Sequence, residues 1–325
     1  MAKKSVGTRV VMCLDSGAFS LYQKHCAGKP LSLQQQFYKS KEFKTYLEHY
    51  IASLHKYKDS LKMYVTLDVI RNPDATWELL QYMESCGLKP LPVFHARSDA
   101  KWLFKILDKY EYFCVGGLAG KEKFDYIPFG DYVFKQICDK NGEPRVKVHG
   151  LAMTGTLAAR WPWYSMDSIT WRYNAAVGHL SIPMLHRGKF VIERVVLTDR
   201  RASEAGHYLS SPVVVQKYLD GLFKSCGYTY EQLREGHQAR SVVSAALFVR
   251  MCEMIREVWR SKIEFDGWNL VLAGDPISNA QHRKVVTEVL DKKLAEQMWV
   301  LETFWTSFIG KDSPKAESLK KLYLK

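Results

Sequence analysis

The sequence lacks the cysteine spacing that a zinc ribbon or a disulfide framework requires. Its seven cysteines stand far apart, and no two of them form a Cys-x-x-Cys pair. Several lie inside apolar runs, which favours buried free thiols in a reducing compartment. The cysteines therefore indicate neither a metal centre nor cross-links.

Long apolar runs are also missing. The longest are well short of the ~18 residues that a membrane-spanning helix needs, and the start Met-Ala-Lys-Lys-Ser lacks the apolar core of a secretory signal. There is no low-complexity tract and no repeat at a solenoid period. We expect a protein of the cytoplasm that does not enter a membrane.

What the chain does have is positive charge and enough length for a large core. Its 325 residues, 47% of them hydrophobic, suffice for one α/β domain, with or without a helical appendage. The net charge of +13 suits a polyanionic partner such as nucleic acid.

Polar residues and glycines repeatedly follow short apolar runs. Six runs rich in β-branched and aromatic residues lead into Asp15, Asp68, His95, Gly116 with Gly117, His149 with Gly150, and Asp167. Such runs are typical of buried parallel strands, and the intervals between them have helical apolar spacing. In a (β/α)8 barrel or an open parallel sheet, the carboxyl ends of the strands converge on the active site. Three acids and two histidines at one edge indicate an enzyme.

The alternation of strand and helix predicts the layout of the chain. We expect a TIM-like α/β fold, with a (β/α)8 catalytic barrel over residues 1–275 and an insertion near 181–265. Helical spacing over 279–308 predicts a helical C-terminal extension spanning 276–325. The last two barrel strands are left open, because 190–197 and 269–273 each fit either a barrel strand or part of the insertion.

Four of the strand-end segments resemble, in the same order, segments of the tRNA-guanine transglycosylases. Asp15-Ser16-Gly17-Ala18-Phe19-Ser20 resembles their Asp-Ser-Gly-Gly-Phe-Gln segment, and Gly116-Gly117-Leu118-Ala119 resembles their Gly-Gly-Leu-Ala segment. His149-Gly150-Leu151-Ala152 stands at their strand-end glycine run, and Ser165-Met166-Asp167-Ser168 resembles their Phe-Asp-Cys nucleophile segment. The resemblance covers about residues 9 to 180. It is strongest to a compact branch, found in phages and bacterial gene clusters, that inserts 7-deazaguanine bases into DNA.

The resemblance implies a pentosyltransferase that swaps a base on C1′ without ATP or another cofactor. Asp167 would be the nucleophile and Asp15 the general acid/base. Asp68 would accept hydrogen bonds from the N1–H and the exocyclic amine of a guanine-like base. The other base-binding positions that it implies are Ser16, His95, Gly116, Gly117, Leu118, His149 and Gly150.

The expected polymer is DNA, with tRNA as the runner-up. The Cys-x-Cys-x-x-Cys and distal histidine that bind structural zinc in the tRNA enzymes have no counterpart here, so we expect no metal. Cations and aromatics flank Asp167 in the sequence, which fits phosphate contacts and base stacking: Arg160, Trp161, Trp163, Trp171 and Arg172. The same tryptophans would also suit a packed core or a closed barrel mouth.

Other interpretations stay open at this point. A strand-end aspartate also caps helices, paired glycines permit tight turns, and a strand-end histidine is often a hydrogen-bonded structural group. A nucleoside or N-glycoside hydrolase would use the same acids with water as acceptor, and a non-catalytic nucleic-acid-binding paralogue would use none. The expected partners are DNA and a free 7-deazaguanine (preQ0-like) base, with a homodimeric state or a helper protein left open. A phage-encoded enzyme would work in the host cytoplasm.

Overall fold

The computed structural model describes residues 10–117, 123–153, 155–260, 262–264, 267, 269–273 and 279–303. The strands are β1 Val10–Asp15, β2 Met63–Tyr64, β3 Val93–His95, β4 Tyr112–Gly116, β5 Lys147–Gly150, β6 Ser165–Ser168, β7 His179–His186, β8 Lys189–Val196, β9 Asn269–Ala273 and β10 Met298–Thr303. The α-helices are α1 Ala18–His25, α2 Leu31–Tyr38, α3 Lys41–Tyr57, α4 Pro73–Ser85, α5 Ala100–Leu107, α6 Lys123–Ile137, α7 Thr170–Val177, α8 Val213–Ser225, α9 Tyr230–Glu235, α10 His237–Arg260 and α11 Ala280–Asp291. Short 3-10 helices cover Lys58–Ser60, Thr156–Ala159, Asp199–Arg201 and Tyr208–Ser210.

Eight strands form one curled parallel sheet in the order β2–β1–β10–β9–β6–β5–β4–β3. Read from β3, the neighbours are β4, β5, β6, β9 and β10, followed by β1 and β2. This is chain order apart from the inserted β7–β8 hairpin, as in a TIM-like α/β fold. The segment that follows β2 and the segment that precedes β3, at the two ends of this order, also meet. Val65 and Leu91 form an isolated parallel bridge, and the Leu91 N–H donates to the Tyr64 carbonyl at 2.8 Å.

Helices cover the sheet as their apolar spacing predicts. The side chains that α3 buries recur at helical spacing, among them Phe43, Tyr46, Tyr50 and Leu54. The Ser40 hydroxyl caps this helix by accepting from the Phe43 N–H at 3.2 Å. The main core joins these faces to inward residues of the sheet, so close packing supports the strand ends.

An insertion separates α7 from the remaining strands of the sheet. β7 and β8 form an antiparallel hairpin whose turn residues, Arg187 and Gly188, both have positive φ. The hairpin packs with α8, α9 and one face of α10 around a second hydrophobic core. Helices α7 and α10 then run antiparallel, because Arg240 Nε donates to the Ala175 carbonyl at 2.8 Å and Ser244 Oγ to the Trp171 carbonyl at 2.8 Å.

The structure decides between the alternatives for the last strands and corrects one expectation. Residues 269–273 belong to the sheet as β9, whereas residues 190–197 lie mostly in β8 of the hairpin. Helix α11 is followed by β10, which pairs with both β1 and β9. The expectation of helix throughout 279–308 is therefore wrong at 298–303, where the alternation that buries Met298 and Val300 fits a strand. Residues 304–325 lie outside the described part.

Within the described residues, no helix has both the length and the apolar character that crossing a membrane requires.

Candidate active site

Three carboxylates meet at the carboxyl edge of the sheet. Asp15 is the last residue of β1, Asp68 follows β2, and Asp167 lies in β6. Parallel strands present these ends to the same side, so the acids face one another. Burial, followed by the charges of Asp167 and Asp68, raises the pKa of Asp15 to about 7. The acids are thus close enough to influence one another's ionisation.

The loop after β1 holds Asp15 by local contacts. The Gly17 N–H lies 3.4 Å from Asp15 Oδ2, and Gly17 adopts a left-handed φ of 75° that a side chain would oppose. Ser16 is fully buried: its carbonyl accepts from the Tyr46 hydroxyl at 2.8 Å, and its own hydroxyl accepts from the Ala18 N–H at 3.4 Å. A base contact by the Ser16 side chain is therefore not supported, because the loop encloses it.

Asp68 and His95 form a close, largely buried pair. Nε2 of His95 lies 2.8 Å from Asp68 Oδ2, at the ends of neighbouring strand segments. The pair fixes the direction of the carboxylate and leaves Oδ1 of Asp68 for another donor. The sequence placed both residues at the site but did not predict that they bind each other. Direct contact between His95 and a base stays a prediction.

Asp167 is held by a backbone donor from the neighbouring strand loop. The Ala152 N–H donates to Asp167 Oδ1 at 2.7 Å, and Ala152 has a positive φ of 55°. His149 Nε2 lies 3.4 Å from the same oxygen, without the alignment of a full hydrogen bond. Both groups contact Oδ1, so Oδ2 is the oxygen left for a substrate. Ala152 carries no chemical signal in the sequence, because its role belongs to its backbone.

His149 contributes to the site from within the core. It is fully buried, which does not support direct contact with a base, and that contact stays a prediction. Its Nδ1 lies 2.7 Å from Ser165 Oγ, which in turn lies 2.7 Å from Tyr112 Oη. Sequence reasoning missed Tyr112 and Ser165 as site residues. The sequence carries one signal for them. Tyr112 begins the strand before the one that holds His149, and Ser165 begins the strand after it.

The strand-end glycines are required by close packing. A Cβ at Gly116 would lie 3.1 Å from Leu151 Cδ1, and one at Gly150 would lie 2.7 Å from Met153 Cβ. Gly117 has a φ of 80°, which favours glycine by itself. Packing thus explains these residues, and close approach of a base to their backbone stays a prediction. Leu118 lies outside the described residues.

The three tryptophans proposed for base stacking are core residues. Trp161, Trp163 and Trp171 are only 4%, 1% and 1% exposed. Trp161 stacks on Phe134, and Trp171 Nε1 donates to the Ala273 carbonyl at 3.0 Å. No free ring face is available for a nucleotide, so packing replaces stacking as the interpretation of these residues.

The two arginines proposed for phosphate contacts differ in their surroundings. Arg160 forms a two-pronged ion pair with Asp131 of α6, with contacts of 3.1 and 2.7 Å. Its charge is therefore already matched, which weakens its case as a phosphate ligand. Arg172 is partly exposed in the first turn of α7, four residues after Ser168 at the end of β6. The strand end and the helix start place Arg172 on the same side of the sheet as the acids.

A cavity of about 590 Å³ lies beside this edge, between α2, α3 and α4. Val69 and Asn72, from the loop after Asp68, form part of its wall, and none of the three acids lines it. Lys39 and Lys44 are balanced there by Glu48 and Glu78. The three acids at the strand ends therefore do not face into this cavity.

Neither the cysteines nor the acids form a metal centre in the described part of the chain. All seven cysteines are free, as expected, and burial raises the pKa of the Cys13 and Cys114 thiols well above the usual value. Among the described residues, no group of three or more His, Cys, Asp or Glu side chains is arranged to hold a metal ion.

Comparison with known proteins finds no matching family model, no matching curated protein and no matching solved structure. The resemblance to the transglycosylases consequently stays a prediction carried by the four sequence segments.

Proposed function

We propose that this protein is a transglycosylase that exchanges guanine in DNA for a 7-deazaguanine base through a covalent aspartyl-deoxyribosyl intermediate. The single observation that carries the proposal is the shared edge of Asp15, Asp68 and Asp167, where the pKa of Asp15 rises to about 7. A pair of acids with different protonation states is what a double displacement at C1′ needs.

We take the sheet to be a closed (β/α)8 barrel around this site. The order of its eight strands fits a ring, and the bridge between Val65 and Leu91 joins the segments beside β2 and β3, the two ends of that order. Closure would leave the strand ends as one mouth, to which a single flipped nucleotide could be presented.

In the first half-reaction Asp167 Oδ2 attacks C1′ as the C1′–N9 bond breaks. The electron pair of that bond goes to the departing guanine, and the proton on Asp15 neutralises it. In the second half-reaction Asp15 takes the N9 proton of the incoming base, whose nitrogen displaces Asp167 from C1′. Protons and bonds balance over the cycle, so no cofactor is needed.

Asp15 suits both directions because a carboxyl with a pKa of about 7 is present in both forms at neutral pH. Asp68, oriented by His95, would accept from the N1–H and exocyclic amine of a guanine-like base. This donor pair is shared by guanine and its 7-deaza analogues, so one pocket would serve both the leaving and the entering base.

DNA is the polymer we propose because the net charge is +13 and the zinc segment of the tRNA enzymes is missing from the sequence. Flipping one nucleotide costs a few kcal/mol. With the tryptophans buried, cationic contacts such as Arg172 would have to offset much of that cost.

The test is incorporation of radiolabelled guanine into duplex DNA or bulk tRNA, comparing wild type, Asp167→Asn and the exposed control Asp59→Asn. Label in DNA with wild type and control, but not with Asp167→Asn, supports the proposal. Label in tRNA would keep the chemistry and change the polymer. Release of guanine without added base would indicate a hydrolase, and no reaction at all would count against catalysis.

A further inference from the structure

A chain of buried polar atoms leads from the core to the oxygen of Asp167. Tyr112 Oη lies 2.7 Å from Ser165 Oγ, and Ser165 Oγ lies 2.7 Å from His149 Nδ1. On the far side of the ring, His149 Nε2 lies 3.4 Å from Asp167 Oδ1. His149 and Ser165 are fully buried, so solvent cannot exchange for these contacts.

The backbone fixes this chain as firmly as the side chains do. His149 and Ser165 are register partners of the parallel pair β5–β6, and Cys114 of β4 is the partner of His149 on the other side. Tyr112 begins β4 two residues earlier. Three adjacent strands of the sheet therefore set the distances, and no loop needs to move to form them.

Two proton arrangements pair every donor of this chain of hydrogen bonds with an acceptor. In one, Tyr112 donates to Ser165, Ser165 donates to Nδ1 of His149, and the ring proton sits on Nε2, facing the Asp167 carboxylate. In the other, every donor reverses: Nδ1 donates to Ser165, Ser165 donates to Tyr112, and Tyr112 donates to Met63 Sδ at 3.1 Å. In the second arrangement the Tyr112 hydroxyl donates to sulfur, which is a weak acceptor. It also points a nitrogen lone pair at a carboxylate oxygen.

We infer that Tyr112 and Ser165 hold His149 as the Nε2–H tautomer, making it a positioning residue that directs a donor at Asp167 Oδ1. The Ala152 N–H donates to the same oxygen at 2.7 Å, so both donors face Oδ1 and Oδ2 is presented to C1′. The structural part of this inference stands by itself, and its catalytic consequence rests on the proposed function.

The other groups around Asp167 explain why such a donor is useful. Asp15 of β1 interacts electrostatically with Asp167, and Cys13 and Cys114 interact with it as buried, uncharged thiols. None of these groups stabilises the negative charge of the Asp167 carboxylate. The Nε2–H of His149 and the Ala152 N–H oppose the repulsion without adding a full positive charge, which would weaken the nucleophile.

The tautomer can be read without any assay of activity. Histidine 15N shifts and their couplings to ring protons distinguish the Nε2–H form, the Nδ1–H form and the imidazolium, and His149→Gln assigns the signal among the ten histidines. We expect an Nε2–H ring in the wild type and loss of that fixed state in Ser165→Ala. A wild-type Nδ1–H ring or an imidazolium would overturn the inference.

The kinetic arm compares Ser165→Ala with Ser244→Ala, a control that removes another buried hydroxyl hydrogen bond. We expect Ser165→Ala to lower kcat about tenfold with little change in KM, the scale of one hydrogen bond. The alkaline limb of its pH–rate profile, which Asp15 sets, should stay in place, because the substitution acts on the Asp167 side of the site. Equal effects of the two substitutions would reduce His149 to a structural role.

The two arms separate the failure of each idea. Wild-type protein that shows the Nε2–H tautomer but exchanges no base would refute the proposed function and leave the positioning of His149 intact. Wild-type protein that exchanges base while His149 carries its proton on Nδ1 would refute the positioning role of His149 and leave the proposed function intact.

Discussion

Asp15→Asn removes a carboxyl whose ionisation the folded protein opposes. In the unfolded chain this group would ionise at its ordinary value of 3.8, whereas in the folded protein its pKa is about 7. Between these values the folded state holds a proton that the unfolded state has released. The free energy of unfolding therefore falls as pH rises through this window.

The size of the effect follows from that difference. Each pKa unit corresponds to about 1.4 kcal/mol, so the buried charge costs the folded protein on the order of 4 kcal/mol at pH 8. This is an upper bound, because relaxation around the charge lowers it. Asparagine keeps the shape and an oxygen that can accept from the Gly17 N–H. The variant should match the wild type near pH 4 and exceed it by a few kcal/mol at pH 8.

Urea unfolding of wild type and Asp15→Asn at several pH values between 4 and 8.5 measures this quantity directly. Taking the difference between the two proteins cancels the titrating groups that do not interact with Asp15. Asp59→Asn, at a carboxyl side chain that is 93% exposed, is the matched control and should give a difference that does not vary with pH. A flat difference for Asp15→Asn as well would refute the raised pKa and the clustering of the acids.

Further predictions concern packing and DNA binding. In the same urea titration, Gly150→Ala should lower the free energy of unfolding by about 1–3 kcal/mol, because its Cβ would lie 2.7 Å from Met153 Cβ. The control is Gly221→Ala, in open space on α8, which should leave the free energy of unfolding unchanged or raise it by up to about 1 kcal/mol. Arg172→Ala should weaken duplex DNA binding and reduce its salt dependence, while calorimetric binding of the free base stays nearly unchanged. Loss of base binding instead would place Arg172 in the base pocket.

The sequence predicts the six strands β1 to β6 because their apolar runs are largely buried. Asp15, Asp68 and Asp167 could be placed at one edge because parallel strands end on the same side, a rule that needs no tertiary detail. The sequence predicts helix where β10 lies, because an alternation over only six residues is ambiguous until the neighbours on both sides are known.

The details of the site were less accessible. The Ala152 N–H acts through its backbone, and the link from Tyr112 to His149 depends on strand register, which sequence spacing does not reveal. The tryptophans were ambiguous for a similar reason. An aromatic flanking an acid suits a core and a binding surface equally, and only its burial decides between them.

The central claim is a covalent bond between Asp167 and C1′ of a nucleotide in DNA. The most direct measurement is to denature the protein during reaction with guanine-containing duplex DNA, digest it, and locate any deoxyribosyl adduct by mass spectrometry. The proposal predicts an adduct on the peptide that contains Asp167, present in the wild type, absent in Asp167→Asn, and depleted by added free base. Exchange without an adduct, or an adduct on another residue, would contradict it.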